Sequence, residues 1–452
     1  MKFKKISITL VTTLMILNIA PVHSAVKAGS SCSKEGTSSI SGGVKYICIK
    51  NGKKLSWSKV KIIPDPIISE AFEYADVRQC KLESKLELQS LGVNRDPLSL
   101  NSTGNLNVGV IFVSFLDAPG DSKVFKFWKD VQQKNADQYF ENSSYGRLDL
   151  IFTSIEKFYQ IQKPSTFYHL NFDPHTNQRD PLAYVQGVFE DAVGLAKDDY
   201  DFSKIDVLHI VFPDSASIGS NGATGLRLKI GNKTFYQGLI APMDKSKTNK
   251  IEPGDTGILH DKWLVHELGH NLGLLHPYYT YNLSQKSKRD YSVVAWSVMG
   301  YDDAIGTDLL SWEKFILGWI DPAQVNCIKA DSIKPTTMFL EAVGVKSDAK
   351  KMAVIPLSAT QAIVVESRRK SSIDTLKSNE EGALVYTVDV NKKSNEGAVE
   401  VVFKNSKSRR LPSTPSMLVG TLSQGESVSI KGFKITVNKY SATGDFVSIK
   451  KS

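Results

Sequence analysis

From His266 to His276 the chain reads HELGHNLGLLH, three histidines and a glutamate in an otherwise apolar run. Residues four apart share one face of an α-helix, so His266 and His270 aim their imidazoles at a common point. That spacing suits two metal–nitrogen bonds of about 2.0–2.1 Å. Glu267 lies about 100° round the helix, where a carboxylate can reach a metal-activated water without ligating the metal. Gly273 stands where a helix can end through a left-handed residue, and the returning chain can bring His276 to the same ion. Leu264, Leu268, Leu272 and Leu275 supply an apolar side to seat the helix. With 8 histidines and 31 glycines in 452 residues, Gly273 and His276 would follow an H-E-x-x-H by accident about once in a thousand trials, so the full pattern points to a metal site. Three neutral imidazoles with an open fourth position favour catalytic zinc, though other divalent ions accept the same ligands.

The elements needed to hold such a helix are legible upstream. NVGVIFVSF, following Leu106, is a continuous apolar run of the kind a buried strand shows. Asp121 to Phe140 has a helical rhythm, RLDLIF and IDVLHIVF read as further strands, and Pro181 to Ala196 as a helix. TGLRLKIGNKTFYQGLIA reads as a hairpin or paired edge strands. Together they predict an α+β domain with a mixed sheet over residues 105–327. Beyond Cys327, short strands such as MAVIPL, AIVVES and ALVYTVDV, separated by Gly and Asn turns, predict a β-sandwich over 328–452.

The N-terminus predicts export. Lys2, Lys4 and Lys5 precede an apolar stretch, Ile6 to Ala20, too short to span a bilayer comfortably, and Val22 and Ser24 form a small-residue cleavage site. Residues 1–24 are thus expected to be a signal peptide and the mature chain secreted, off the membrane and monomeric. In an oxidising compartment four cysteines favour two disulfides. Three pairings are possible; Cys32–Cys48 is the local one, leaving Cys80–Cys327, while a sharper alternative makes Cys80 a metal-capping thiolate. Residues 25–60, with turn signals and a Cys staple, predict a small β module able to associate with a cell envelope. Residues 61–104 read as a linker, a helical stretch from about Ser69 to Leu91 and a loop, and could form a propeptide. The net charge is +9, with Lys and Arg scattered along the sequence in loop clusters such as KSKTNK and KNSKSRR, without the basic, aromatic-interleaved stripe of a nucleic-acid binder.

The histidine pattern resembles that of the metzincin zinc peptidases, whose second mark is a methionine turn. SVMGY, Ser297 to Tyr301, follows His276. The resemblance implies that Met299 forms an apolar floor beneath the imidazoles and that Tyr301 reaches the zinc or the transition-state oxyanion. HELGHNLGLLH, SVMGY and LSWEKFILGWI (Leu310 to Ile320) together are similar to the gametolysin-type peptidases. SYGRLDL, VVESR and GALVYTVDV are similar, more loosely, to immune inhibitor A-type peptidases, which usually lack a histidine at the position of His276. The implied activity is endopeptidic: one zinc ion held by His266, His270 and His276, with Glu267 as general base toward its water and a protein or peptide as substrate. An inactive zinc-stabilised adhesion protein and a zinc hydrolase of envelope amides are the alternatives. His169, His175 and His209 lack partners at ligand spacing and read as structural, and His260 as decoration at the start of the helix. Asp302 and Asp303 suit a helix cap or a structural Ca2+.

Overall fold

The structure, a computed structural model, describes residues 27–35, 37–41, 44–52, 54–59, 74–168, 181–218, 221–242, 262–280, 289–290, 293, 296–300, 308–331, 334–378, 380–404 and 420–452. The expected signal peptide, His169, His175, His260, Tyr301, Asp302 and Asp303 lie outside these residues. Two compact units divide the chain at Asp65 and Pro66.

The first unit holds a three-stranded antiparallel sheet: β1 Ser38–Ser41, β2 Val44–Asn51 and β3 Lys54–Lys59. Cys32 and Cys48 are joined in a disulfide, and Cys48 is fully buried. So few residues build little core, and the staple offsets that shortfall. The charge is not evenly divided between the units. Residues 1–65 hold 11 of the 56 basic residues, all lysine, and 2 of the 47 acidic ones, so this unit carries the whole +9. The remaining 45 basic and 45 acidic residues cancel in the second unit. Among the described residues, Lys27, Lys34, Lys50 and Lys54 are exposed.

The second unit opens with a five-stranded sheet in the order β5-β4-β6-β8-β7. Its strands are β4 Gly104–Ser114, β5 Leu148–Gln160, β6 Val207–Phe212, β7 Asn221–Ile230 and β8 Lys233–Pro242. All pairings are parallel except β7 with β8, which places an antiparallel strand at one edge. Strand alternation sends Val108, Val110 and Phe112 of β4 to one face and Ile111 and Val113 to the other. Helices α1 Lys123–Phe127 and α2 Lys134–Ser143, joined by a π-helical segment, cover the first face together with α4 Lys262–Asn271. Helix α3 Pro181–Ala196 covers the second. His209 of β6 is fully buried between Trp128 and Trp263, and neither ring nitrogen has a hydrogen-bond partner. Burial pushes its pKa down to about 3, so the ring is neutral.

After α4 come two short paired strands, β9 Tyr279–Thr280 and β10 Arg289–Asp290, and helix α5 Ser311–Ile316. Two sheets follow. One has the order β11-β13-β14-β15-β16, the other β12-β19-β18-β17. The first comprises β11 Val325–Cys327, β13 Met352–Pro356, β14 Gln361–Arg368, β15 Gly382–Asp389 and β16 Val399–Val401. The second comprises β12 Thr336–Glu341, β17 Ser427–Ile430, β18 Phe433–Ser441 and β19 Gly444–Lys451. They pack face to face through Ala353, Ile363, Val365, Val385, Leu340, Ile435 and Val447. The opposite face of the first sheet, with Met352, Val354, Val364, Leu384 and Tyr386, belongs to the same core as α4 and β4. β14, which carries AIVVES, is buried on both faces. Residues 66–452 accordingly form one compact unit, in which the segments expected as 105–327 and 328–452 share a core.

The helix expected from Ser69 to Leu91 is not present in its described part. The only helical element described in residues 74–91 is a 3-10 turn, Val77–Cys80, and the chain beyond it is irregular, with bends at 87–89. Cys80, Leu82 and Ser84 are buried while Lys81, Glu83 and Lys85 are exposed, so the period of two in CKLESK prevails over helix-forming residue types. Cys80 is joined to Cys327, 247 residues away, which removes it as a metal-capping thiolate. The segment then crosses the end of α4. Leu100 N–H donates to the Asn271 carbonyl, the Arg95 guanidinium to that of Leu272 and Ser90 N–H to that of Gly273. These are carbonyls a helix terminus leaves without intrahelical partners.

Candidate metal centre

Helix α4 forms where the sequence places its apolar stripe: Leu264, Val265, Leu268 and Leu272 are buried in the main core. It ends at Gly273, whose φ of 94° is accessible chiefly to glycine. Leu274 N–H reaches back to the Gly269 carbonyl across this turn, 3.0 Å away, and the chain returns toward the helix.

That return brings three imidazoles together. The Nε2 atoms of His266 and His270 are 3.1 Å apart, and each is 3.0 Å from Nε2 of His276. The other side of each ring settles what these nitrogens carry. His266 Nδ1 is 2.7 Å from the Val298 carbonyl and His270 Nδ1 2.8 Å from that of Leu274. Carbonyls only accept, so Nδ1 bears the proton in both rings and Nε2 keeps its lone pair. His276 Nδ1 lies 3.3 Å from Ser394 Oγ. Lone pairs aimed at one another across 3 Å repel unless a cation lies between them, and this donor set fits a divalent ion such as zinc. Burial, then the neighbouring His276 and His266, holds His270 well below its usual pKa, in the neutral form a metal requires. Glu267 is half-buried on the same helix.

Met299 is fully buried beside the same helix. It approaches α4 so closely at Gly269 that a Cβ there would overlap its Sδ. The turn carrying it is held from below. Ser297 Oγ accepts from Met299 N–H at 3.1 Å and donates to a Glu313 carboxylate oxygen at 2.7 Å. Glu313 also accepts from Leu310 N–H. Burial raises its pKa to about 7 against the lowering effect of those two bonds. Lys314 pairs with Asp308 at 2.6 Å, and Arg368 pairs with Glu366 and Asp374; all five are fully buried. Trp312 and Trp319 donate through Nε1 to the carbonyls of Leu91 and Ser102. LSWEKFILGWI thus supplies the groups that hold the turn at Ser297–Gly300.

Sequence reasoning passed over Gly269, Ser297, Glu313 and Ser394. The first two stand inside motifs it used; Glu313 occupies the N3 position of α5 and accepts from the N-cap amide, but the N-cap is Leu310, so the polar half of a capping box is missing from the sequence. Ser394 is 118 residues from His276 and has no local signal.

No protein-family model matches the chain, nor does any curated protein. Among solved structures it is similar to wild-type OgpA from Akkermansia muciniphila at 14% identity and a TM-score of 0.25, over 68% of this chain and 93% of that one. Catalytically inactive OgpA in complex with an O-glycopeptide (glycodrosocin) substrate is similar at 12% identity and a TM-score of 0.23, over 70% and 96%. Likenesses this low carry no argument about the chemistry, which rests on the geometry of the histidine cluster.

Proposed function

We propose that this chain is a secreted zinc-dependent endopeptidase of the metzincin type. The observation that carries the reading is the convergence of three imidazole Nε2 atoms within 3.1 Å of one another, in a motif that also holds Glu267. When bound, zinc supplies Lewis acidity, making water nucleophilic near neutral pH and polarising a carbonyl. His266, His270 and His276 hold it, with Nδ1 of the first two fixed by backbone carbonyls. Glu267 takes the proton of the attacking water and delivers it to the departing amine. Tyr301 donates to the developing oxyanion. Strand β7, at the sheet edge and packed near α4, offers backbone groups to an extended peptide. Residues 74–104 stay with the enzyme, because they supply hydrogen-bond partners to the end of α4. With residues 1–24 removed, the first unit keeps eight lysines against two acidic residues over 25–65, which supports its association with a polyanionic envelope.

The test is Glu267→Ala. The variant is expected to keep one equivalent of zinc and lose casein cleavage by at least a thousandfold. Undiminished cleavage would refute the mechanism, and cleavage of envelope amides alone by the native protein would refute the substrate class.

A further inference from the structure

The β15–β16 hairpin of the C-terminal sheet, remote in sequence from α4, meets the third histidine. N–H groups of Asn395, Gly397 and Val399 donate to the carbonyls of His276, Tyr278 and Pro277, at 3.1, 3.0 and 3.0 Å. In the other direction His276 N–H donates to Ser394 Oγ at 2.9 Å. All three carbonyls of the His276–Tyr278 tripeptide are therefore taken up by one hairpin. Asn395 and Gly397 have φ of 68° and 73°, left-handed values that suit asparagine and glycine. Ser394 Oγ is also 3.3 Å from His276 Nδ1. A hydroxyl can accept from the backbone amide and from a ring N–H together, which would leave the His276 Nε2 lone pair facing the other two imidazoles.

We infer that the C-terminal sheet is part of the metal centre, with Ser394 as the positioning residue that fixes the tautomer and orientation of His276. The inference rests on the metal-site reading above. The difference between the ligands is physical: α4 places His266 and His270 by its own periodicity, whereas His276 lies beyond the helix end and takes its backbone partners from the hairpin. A C-terminal sheet that closes the coordination sphere explains why it shares a core with α4. Its role is then to build the site rather than to act as an appended binding module.

The experiment uses the full-length, disulfide-intact protein and its Ser394→Ala and Ser394→Thr variants. Zinc affinity is measured by competition with a chromophoric chelator, the visible spectrum is recorded with cobalt in place of zinc, and Tm is measured without metal. Ser394→Ala is expected to weaken zinc binding about 10–100-fold and to change the cobalt spectrum, while metal-free Tm stays within a degree or two. Ser394→Thr, which keeps the hydroxyl, is expected to restore affinity to within about threefold. Unchanged affinity and spectrum in Ser394→Ala would overturn the inference. So would a loss that tracks a fall in metal-free Tm and is not rescued by threonine. Failure of the native protein to bind zinc would instead overturn the metal-site reading itself.

Discussion

Gly269 should be the position in α4 least able to accept a side chain, and Met299 should be the reason. Glycine within a helix is unfavourable relative to alanine by about 0.8–1.0 kcal/mol, so Gly269→Ala would ordinarily stabilise. Here the new methyl overlaps Met299 Sδ, in a turn held from below by Ser297 and Glu313. Overpacking of this kind costs about 1–3 kcal/mol, so the net effect in the native background is a destabilisation of up to about 2 kcal/mol. Met299→Ala alone should cost about 2–5 kcal/mol through the cavity it leaves, but it removes the obstructing sulfur. In that background Gly269→Ala should become favourable by up to about 1 kcal/mol, giving a coupling energy of about 1–3 kcal/mol between the sites. Urea unfolding of the four proteins without metal measures this directly. The single Gly269→Ala variant should also bind zinc less tightly, because displacing the turn moves the Val298 carbonyl away from His266 Nδ1. Equal costs for Gly269→Ala in both backgrounds would refute the close-approach reasoning.

Other outcomes follow from buried groups and from charge. The pKa of Glu313, raised to about 7 by burial, means that the folded state binds a proton the unfolded chain releases. Its contribution to stability is complete below the ordinary glutamate range and is lost as pH rises through about 7. The swing is on the order of 3 kcal/mol, and Glu313→Gln should flatten it in unfolding curves recorded from pH 4.5 to 8; parallel curves would contradict the assignment. His209→Leu removes two buried nitrogens without partners and should stabilise by about 1–3 kcal/mol; a loss of stability in urea would show that the ring is satisfied. Deleting residues 25–65 removes eight lysines and two acids. It should lower the salt at which the protein leaves an anionic resin or isolated envelopes, and an unchanged elution would count against envelope association.

The sequence by itself determined the parts governed by local periodicity. The pairing of His266 with His270 follows from the helical repeat, the turn toward His276 from Gly273, and the buried strands β4 and β6 from their apolar runs. The concentration of lysine in residues 1–65 was equally present in the sequence, though it became meaningful only when the unit boundary fell at Asp65. What lay beyond local reading were contacts between residues far apart in the chain. Ser394 meets His276 across 118 residues because one edge of the C-terminal sheet lies beside the end of α4. Over residues 80–85 the course of the chain was decided by tertiary burial of alternate side chains, which outweighed helical propensity. The shared core of the metal-bearing part and the sandwich arises from a sheet apolar on both faces, and a strand pattern does not show what each face will meet. Periodicity thus placed two ligands and aimed the third, and packing between distant elements decided what holds it there.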